Sequence, residues 1–412
     1  MKILIIGGGG REHALAWRLH KSRDITQILA SPGNPGIAQI ATCLPTPSDL
    51  TGYADMAVAN NVNLTIVGPE APLVAGIVDE FYRRRLRIVG PTKAAAQLEG
   101  SKIFAKRFFE RAGIPTAKSI QTDSYSDALA ALKQFPLPVV IKADGLHAGK
   151  GVVIAQTEPE AISAIQKLGP NLVIEEFLQG EEVSFIGVTN GSFLVPFAPA
   201  QDHKRVLDND EGPNTGGMGA YTDARILTAA QTGQIMDRVI MPTLHQMRVE
   251  SMPFTGFLYA GLMMTNNGPK ILEYNVRMGD PETQAIMHSF NGDFLNLLNL
   301  IANGIGGLKG RMWGNCSVCI TLAAQNYPET PRTGDIITGI EEAEATGATV
   351  FHAGTKMNGE HLVTNGGRVL GVTSTAETLQ AARAAAYSAA AKIHFDGMHF
   401  RKDIGAKGLV RW

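Results

Sequence analysis

The sequence predicts an α/β protein with an N-terminal parallel sheet, a small lid unit inside a second region, and a C-terminal unit of mixed α+β structure. Three observations carry that prediction. Short β-branched runs alternate with helical stretches over the first hundred residues, a Lys- and Gly-rich loop separates two apolar strands near residue 145, and a new series of short strands begins after about residue 310. The expected divisions are 1–100, 101–310 with the lid at about 116–190, and 311–412.

In the first division, KILII at residues 2–6 stops at four glycines and leads into the helical pattern REHALAWRLHK. QILA before SPGNPG, LTIVG before PEAP and RIVG before PTKAAAQ repeat the alternation. Helical stretches between such strands imply a Rossmann-like parallel sheet with right-handed crossovers. Residues 101–113 read as a helix stopped by Gly113, with Pro115 beyond it. In the lid unit PVVIKADG, KGVVIA and LVIEEF are strands, with two short helices among them. From 182 to 199 and from 254 to 275 the pattern is antiparallel, with a hairpin turn at Asn267-Gly268. A helix spans 228–249 between these strand sets. FHAGTK and GGRVLGVT then supply strands before an Ala-rich helix near 376–392.

Composition narrows the function classes. With 37 Lys and Arg against 38 Asp and Glu, the net charge of −1 gives no field for a polyanion and argues against nucleic acid as a partner. No stretch of about 18 apolar residues occurs, and the opening MKILIIGGGG is too short and Gly-rich for a signal peptide, so a cytoplasmic protein without a membrane partner is expected. Cys43, Cys316 and Cys319 are too few for a disulfide framework. The last two lie in CSVCITLAA with no second pair and no nearby His, which reads as a buried strand and not a zinc site. Arg83, Arg84, Arg85 and Arg87 read as the solvated end of a helix. A length of 412 residues allows two to four domains with clefts between them, and the oligomeric state stays open, a monomer being allowed.

Three elements suggest chemistry. Gly7 to Gly10, between a strand and a helix, can gather backbone N–H groups around a phosphate. A dinucleotide site does not fit, because the third glycine of G-x-G-x-x-G is absent and the second strand ends at Ala30-Ser31 without an acid for a ribose. The second element is Lys142, at the end of an apolar strand, followed by a loop with Gly145, Gly149 and Gly151 that can close over a triphosphate. Downstream, Glu175, Glu176, Phe177 and Leu178 end another apolar strand, where backbone groups could meet an adenine edge and Glu182 a ribose. The third is ILEYN, in which alternation puts Glu273 and Asn275 on one face, a pair of hard oxygen ligands suited to Mg²⁺.

Together these elements resemble the nucleotide site of ATP-grasp enzymes. GGREHALAW, SPGNPG, VGPEAPLVAG, QLEGSKIFAK, KADGLHAGKGV, AQDHKRV, GPNTGGMGAY, TGFLYAGLM, EYNVRMGDPETQ and FRKDIG, spread from residue 7 to residue 405, resemble more specifically the phosphoribosylamine–glycine ligase family. The resemblance implies an ATP-grasp fold and the joining of glycine to phosphoribosylamine through a glycyl phosphate, with ATP and Mg²⁺ (or Mn²⁺) as cofactors. By the same resemblance, Lys102 and Lys142 hold the ATP phosphates, with Lys106 as a weaker substitute, and Glu273 and Asn275 carry the metal. Glu175 or Glu176, with Phe177 and Leu178, meets adenine, Glu182 holds the ribose, and Gly149 and Gly151 belong to the phosphate loop. Arg277, Asp280 and Glu282 lie beside the γ-phosphate and the glycine. Gly9, Gly10, Asn34, Glu70, Lys356 and Arg368 grip phosphoribosylamine. His13, His147, His203 and His288 are expected to be structural or to support site residues from behind.

Gly8, His147, Met278 and Asn326 depart from the usual pattern without removing a charge or ligand assigned above. The competing readings are another ATP-grasp ligase or a non-catalytic nucleotide-binding protein on the same scaffold. GPNTGGMGAY and GDPET argue against the first, and the presence of Lys142, Glu273 and Asn275 argues against the second.

Overall fold

The computed structural model describes residues 1–147, 150–305 and 312–411. Its N-terminal sheet is parallel throughout, in the order Thr42–Cys43, Gln27–Pro32, Lys2–Gly7, Leu64–Val67, Ile88–Val89. Ile3, Leu4, Ile5 and Ile6 are buried in succession, not alternately, because helices cover both faces of a parallel sheet. The first strand runs into the helix Gly10–His20 through a turn that needs Gly7, whose φ is +121°.

The helix Lys102–Ala112 begins at Ser101, whose hydroxyl accepts from the Phe104 N–H at 3.0 Å, and ends at Gly113 with φ +63°. Those caps fix its register, so Lys102 and Lys106 come to line the same cleft. The lid follows as an antiparallel sheet in the order Ser119–Thr122, Leu172–Glu176, Val139–Ala143, Val152–Ala155. Two helices, Tyr125–Leu132 and Glu158–Leu168, cover it. Ala128, Ile141, Ile165 and Ile174 form a core of its own, separate from the main clusters. The strand Ser119–Thr122 escapes the sequence pattern because SIQT is a half-buried edge without an apolar run.

Beyond the lid, one large antiparallel sheet crosses the molecule. Its order is Gly268–Asn275, Gly256–Thr265, Glu181–Thr189, Ala200–Asp202, Gly219–Thr222, Cys316–Ala323, Arg368–Ala376, Thr349–His352. Three strands after residue 310, Cys316–Ala323, Arg368–Ala376 and Thr349–His352, therefore add to the sheet that begins at Glu181, through the pairing of Gly219–Thr222 with Cys316–Ala323. Cys316 and Cys319 are free and buried in that strand, as expected. The hairpin turn is displaced by one residue from expectation: Asn266 and Asn267 form the loop, Thr265 pairs with Gly268, and Gly268 takes the positive φ of +98°. The expected helix 228–249 is continuous but widens to a π-turn over Met236–Ile240, just before Pro242. A proline has no N–H to give the preceding turn and crowds the carbonyl four residues back, and the wider turn relieves both. Arg83 and Arg84 pair with Glu80 and Asp55 at the helix end and Arg85 is exposed, as expected, whereas Arg87 lies beyond the helix, is half-buried and donates to Asn299 at 3.0 Å.

The helix Glu282–Ser289 joins the halves. It is buried on nearly every side, between the helix Gly10–His20 and the large sheet. Trp17 stacks on His288 at 5.1 Å, His288 bonds Thr349 at 3.0 Å, and the His352 N–H donates to His13 Nδ1 at 2.8 Å. His13, His203 and His352 are buried and His288 is partly so, and desolvation drives their pKa values down to about 3, 4 and 4 for the first three and about 4 for His288. They are neutral structural groups, as expected for His13, His203 and His288.

Candidate functional site

Lid, large sheet and N-terminal sheet enclose a cavity of about 810 Å³. Under the lid, the Lys102 ammonium donates to the Gly145 carbonyl at 2.8 Å, tying the helix Lys102–Ala112 to the lid loop. Lys142 and Lys106 both pair with the buried Glu175 carboxylate, Lys106 at 2.5 Å. Burial alone would raise the Glu175 pKa, but Lys142 and Lys106 outweigh it and hold the carboxyl below its ordinary value. Glu175 therefore uses its side chain on the two lysines, while its backbone is paired in the sheet between Ser119–Thr122 and Val139–Ala143. Glu176 faces the other way and pairs with Lys270 at 3.1 Å. Phe177, Leu178 and Gly151 line the same cavity. Gly149 lies outside the described residues. Glu182 lines it too, in an ion pair with Lys204.

Glu273 and Asn275 point into the cavity from one strand, as alternation requires. Among the described residues Glu273 makes no direct hydrogen bond or ion pair. Burial opposes its charge, but Lys204, Lys142, Lys102 and Arg277 together keep its pKa low. An ionised carboxylate without a direct partner, facing a cleft of cations, fits a divalent metal ligand. Asn275 Oδ1 accepts from Arg277 at 2.9 Å and keeps one lone pair. Arg277 is further held by Glu99 at 2.9 Å and Glu70 at 3.2 Å. Glu282 is 2% exposed, and its Oε1 accepts from Ser184 at 2.9 Å and Tyr259 at 2.7 Å. Asp280 pairs with Arg368 at 3.4 Å, and Arg368 also donates to the Asp280 and Gly216 carbonyls, both at 2.5 Å.

The N-terminal loop adjoins this end of the cavity. A Cβ on Gly9 would stand 3.7 Å from Asp280 Oδ2, and one on Gly10 would collide with Gln284 Nε2 at 2.5 Å. The loop thus stands close to Asp280, but Gly9 and Gly10 do not line the cavity themselves and the Gly9 N–H donates to Glu12; the N-terminal region enters the lining through Arg11 and Glu70. Two expected substrate residues, Asn34 and Lys356, are placed apart from the cavity lining. Asn34 donates to the Gly8 and His352 carbonyls and accepts from the Ile37 N–H, so its side chain is spent on holding the loop and has no donor left for a substrate. Lys356 is exposed on the two-stranded hairpin Thr355–Asn358 and His361–Thr364, outside the cavity lining.

Comparison with known proteins settles the relationship. Three family models match in chain order: the phosphoribosylglycinamide synthetase N domain at residues 1–99, its ATP-grasp (A) domain at 100–283 and its C domain at 317–407. The chain belongs to the phosphoribosylglycinamide synthetase family. Similar curated proteins include the phosphoribosylamine–glycine ligases of Ralstonia nicotianae, 48% identical over the full length of both chains, and of Vibrio vulnificus, 46% identical over 100% of this chain and 99% of the other. Among solved structures, the phosphoribosylamine–glycine ligase of Thermotoga maritima superposes with a TM-score of 0.85, at 35% identity over 98% of this chain and 100% of that one. The biotin carboxylase of Campylobacter jejuni, at 14% identity and a TM-score of 0.70 over 97% and 92%, shares the fold alone.

Sequence reasoning missed several members of this family's cleft in the present chain. Glu99 and Arg11 line it, the first bonded to Arg277 and the second donating to the Met278 carbonyl at 3.1 Å. Asp202 and Lys204 sit in the quoted string AQDHKRV, yet no spacing rule distinguishes them from surface charges. The available signal is position alone: Asp202 ends the strand Ala200–Asp202 and Lys204 stands two residues beyond it.

Proposed function

We propose that this chain ligates glycine to 5-phosphoribosylamine, giving glycinamide ribonucleotide, ADP and phosphate, as a step of purine biosynthesis. The glycine carboxylate attacks the γ-phosphorus, ADP leaves, and the amine then displaces phosphate from glycyl phosphate while losing a proton. The observation that supports this most is a cavity that runs from a cationic half beneath the lid to Arg11, Glu70, Arg277, Asp280 and Arg368, with the N-terminal glycine loop next to Asp280. Such chemistry needs no protein nucleophile, only positioned reactants and neutralised phosphate charge.

In this reading Lys102 and Lys142 hold the phosphates once ATP draws Lys142 away from Glu175. The Glu176 to Leu178 backbone receives adenine, and Glu182 exchanges Lys204 for the ribose. Glu273 and Asn275 hold Mg²⁺ (or Mn²⁺), which when bound neutralises phosphate charge. Gly9, Gly10, Glu70 and Arg368 form the phosphoribosylamine side. We assign functional divisions at 1–100, 101–310 and 311–412, with 116–190 as the lid, and a cytoplasmic location. No helix among the described residues is long and apolar enough to cross a membrane. ADP release that requires glycine and phosphoribosylamine together is the expected result, and ADP release independent of either would refute the reading.

A further inference from the structure

The hairpin of Arg205–Leu207 with Glu211–Asn214 forms part of the cavity wall through Arg205, Asp210 and Asn214. Little of its own sequence holds it there. Leu207 is 45% exposed, residues 209 to 213 are exposed, and among the described residues only Val206 of the hairpin belongs to a buried apolar cluster. Its turn is also strained, since Asn209 and Asp210 have φ of +60° and +56°, a region that L side chains rarely adopt. The string FRKDIG at residues 400–405 pins this hairpin. Arg401 is fully buried, and its Nε and Nη2 donate side by side to Asp403 at 2.7 Å each. Its Nη1 donates to the Arg205 carbonyl at 3.1 Å and to Asp210 at 3.0 Å. Asp403 also accepts from the Asn209 N–H at 2.9 Å, the Lys402 N–H donates to Asp208 at 2.7 Å, and Lys407 pairs with Asp210. The string is itself seated on the helix Leu379–Ala390. Arg383 donates to the Lys402 and Ile404 carbonyls at 2.6 and 2.9 Å, and the Tyr387 hydroxyl donates to the Arg401 carbonyl at 2.8 Å. A guanidinium hidden from water needs its donors filled, and two of the oxygens that fill them here lie on the hairpin.

We propose that Arg401 is a positioning residue for the ligase reaction: it clasps the hairpin 205–214 to the C-terminal region and so sets the cavity wall beside Arg368. Arg401 does not line the cavity itself. Its effect is carried along the chain, because the hairpin runs directly into Thr215 and Gly216. There the Thr215 N–H donates to the Lys204 carbonyl at 2.7 Å, and the Gly216 N–H donates to the Tyr327 hydroxyl at 2.8 Å. The Gly216 carbonyl accepts from Arg368 at 2.5 Å. A hairpin that swings outward therefore withdraws one of the anchors of Arg368. This rests on the reading of Arg368 as part of the phosphoribosylamine side and extends that side to a residue outside the cavity. A purely structural Arg401 would lower the melting temperature without favouring one substrate over another.

The test is Arg401→Lys, which keeps a positive charge and loses the planar fork that joins Asp403 to the hairpin. The Michaelis constant for phosphoribosylamine should rise by roughly tenfold, the scale of a lost charge-assisted hydrogen bond, while that for ATP stays within about twofold. Amide exchange should quicken in residues 205–214 and stay unchanged in the lid strand Val139–Ala143. Asp208→Ala removes only the bond from the Lys402 N–H, at a partly exposed side chain, and decides the matter if Arg401→Lys fails to fold. It should raise the same constant by about threefold, the scale of a single neutral-donor bond. Melting temperatures with and without a non-hydrolysable ATP analogue show that each variant is folded and binds nucleotide. An unchanged phosphoribosylamine constant in a folded variant, equal weakening toward ATP and phosphoribosylamine, or unaltered exchange in the hairpin would overturn the proposal. Failure of the unaltered enzyme to release ADP with both substrates would instead overturn the functional reading beneath it.

Discussion

The two glycine loops, one lining the cavity at Gly145 and one standing beside it at Gly7, have opposite surroundings. At Gly7 an added Cβ would lie 2.7 Å from Glu12 Cγ and 3.0 Å from Pro69 Cδ, whereas at Gly145 the nearest atom is His147 Nε2 at 4.0 Å. Glu12 is 3% exposed and accepts from the Gly9 N–H at 2.6 Å, so the first loop is walled by side chains that belong to the core. The lid loop instead hangs from a small sheet with its own separate core. Glycine serves close approach in one loop and conformational freedom in the other. It follows that substitutions at the N-terminal side should disturb stability and activity together, while those on the nucleotide side should separate them.

The largest expected effect is that separation. Glu273→Gln removes a cavity carboxylate that has no direct partner among the described residues and removes no core contact, so turnover should fall by roughly 10²- to 10⁴-fold, the scale of metal-based charge stabilisation, with the melting temperature nearly unchanged. Near-full ADP release at saturating Mg²⁺ would break the contrast at its strongest point. Gly7→Ala tests the other side. Adding a Cβ at φ +121° against Glu12 should cost about 2–4 kcal/mol of stability and also weaken phosphoribosylamine binding. Gly145→Ala, strained by its φ of +88° but with open space around it, should cost only about 1–2 kcal/mol in denaturant unfolding. Equal losses in the two variants would mean that both loops are walled alike.

Acid should act on the same boundary. His13, His288 and His352 are held neutral by burial, with pKa values of about 3, 4 and 4 against about 6.5 when unfolded. The unfolded chain therefore binds more protons as pH falls below about 6.5, and stability drops from there toward pH 4, by up to about 1.4 kcal/mol per pH unit for each group. Melting should fall over that window, and amide exchange should quicken in Gly10–His20 and Glu282–Ser289 before it does in the lid strand Val139–Ala143. Lid opening first would sink this assignment. The smallest effect belongs to Lys356→Ala: on an exposed hairpin outside the cavity, it should leave all three Michaelis constants within about twofold, as surface substitutions do.

Much of this was legible before folding. The β-branched runs ending at glycines mark the parallel strands, because period and turn chemistry are local properties. Ser101 and Gly113 bound their helix for the same reason, and alternation alone puts Glu273 and Asn275 on one face. Other features depend on partners distant in the chain. Whether Glu175 offers its carboxylate to a ligand or spends it on Lys106 and Lys142 is decided by the antiparallel pairing of Val139–Ala143 with Leu172–Glu176 and by a helix some 70 residues upstream. Asn34 is consumed by a carbonyl 318 positions away. Asp202 becomes an orphan only where three strands and the Glu282 helix converge. A sequence specifies which groups can bond, since that is chemistry carried by each residue. Burial decides which of them are left without a partner, and burial is a sum over the whole chain that no local window contains.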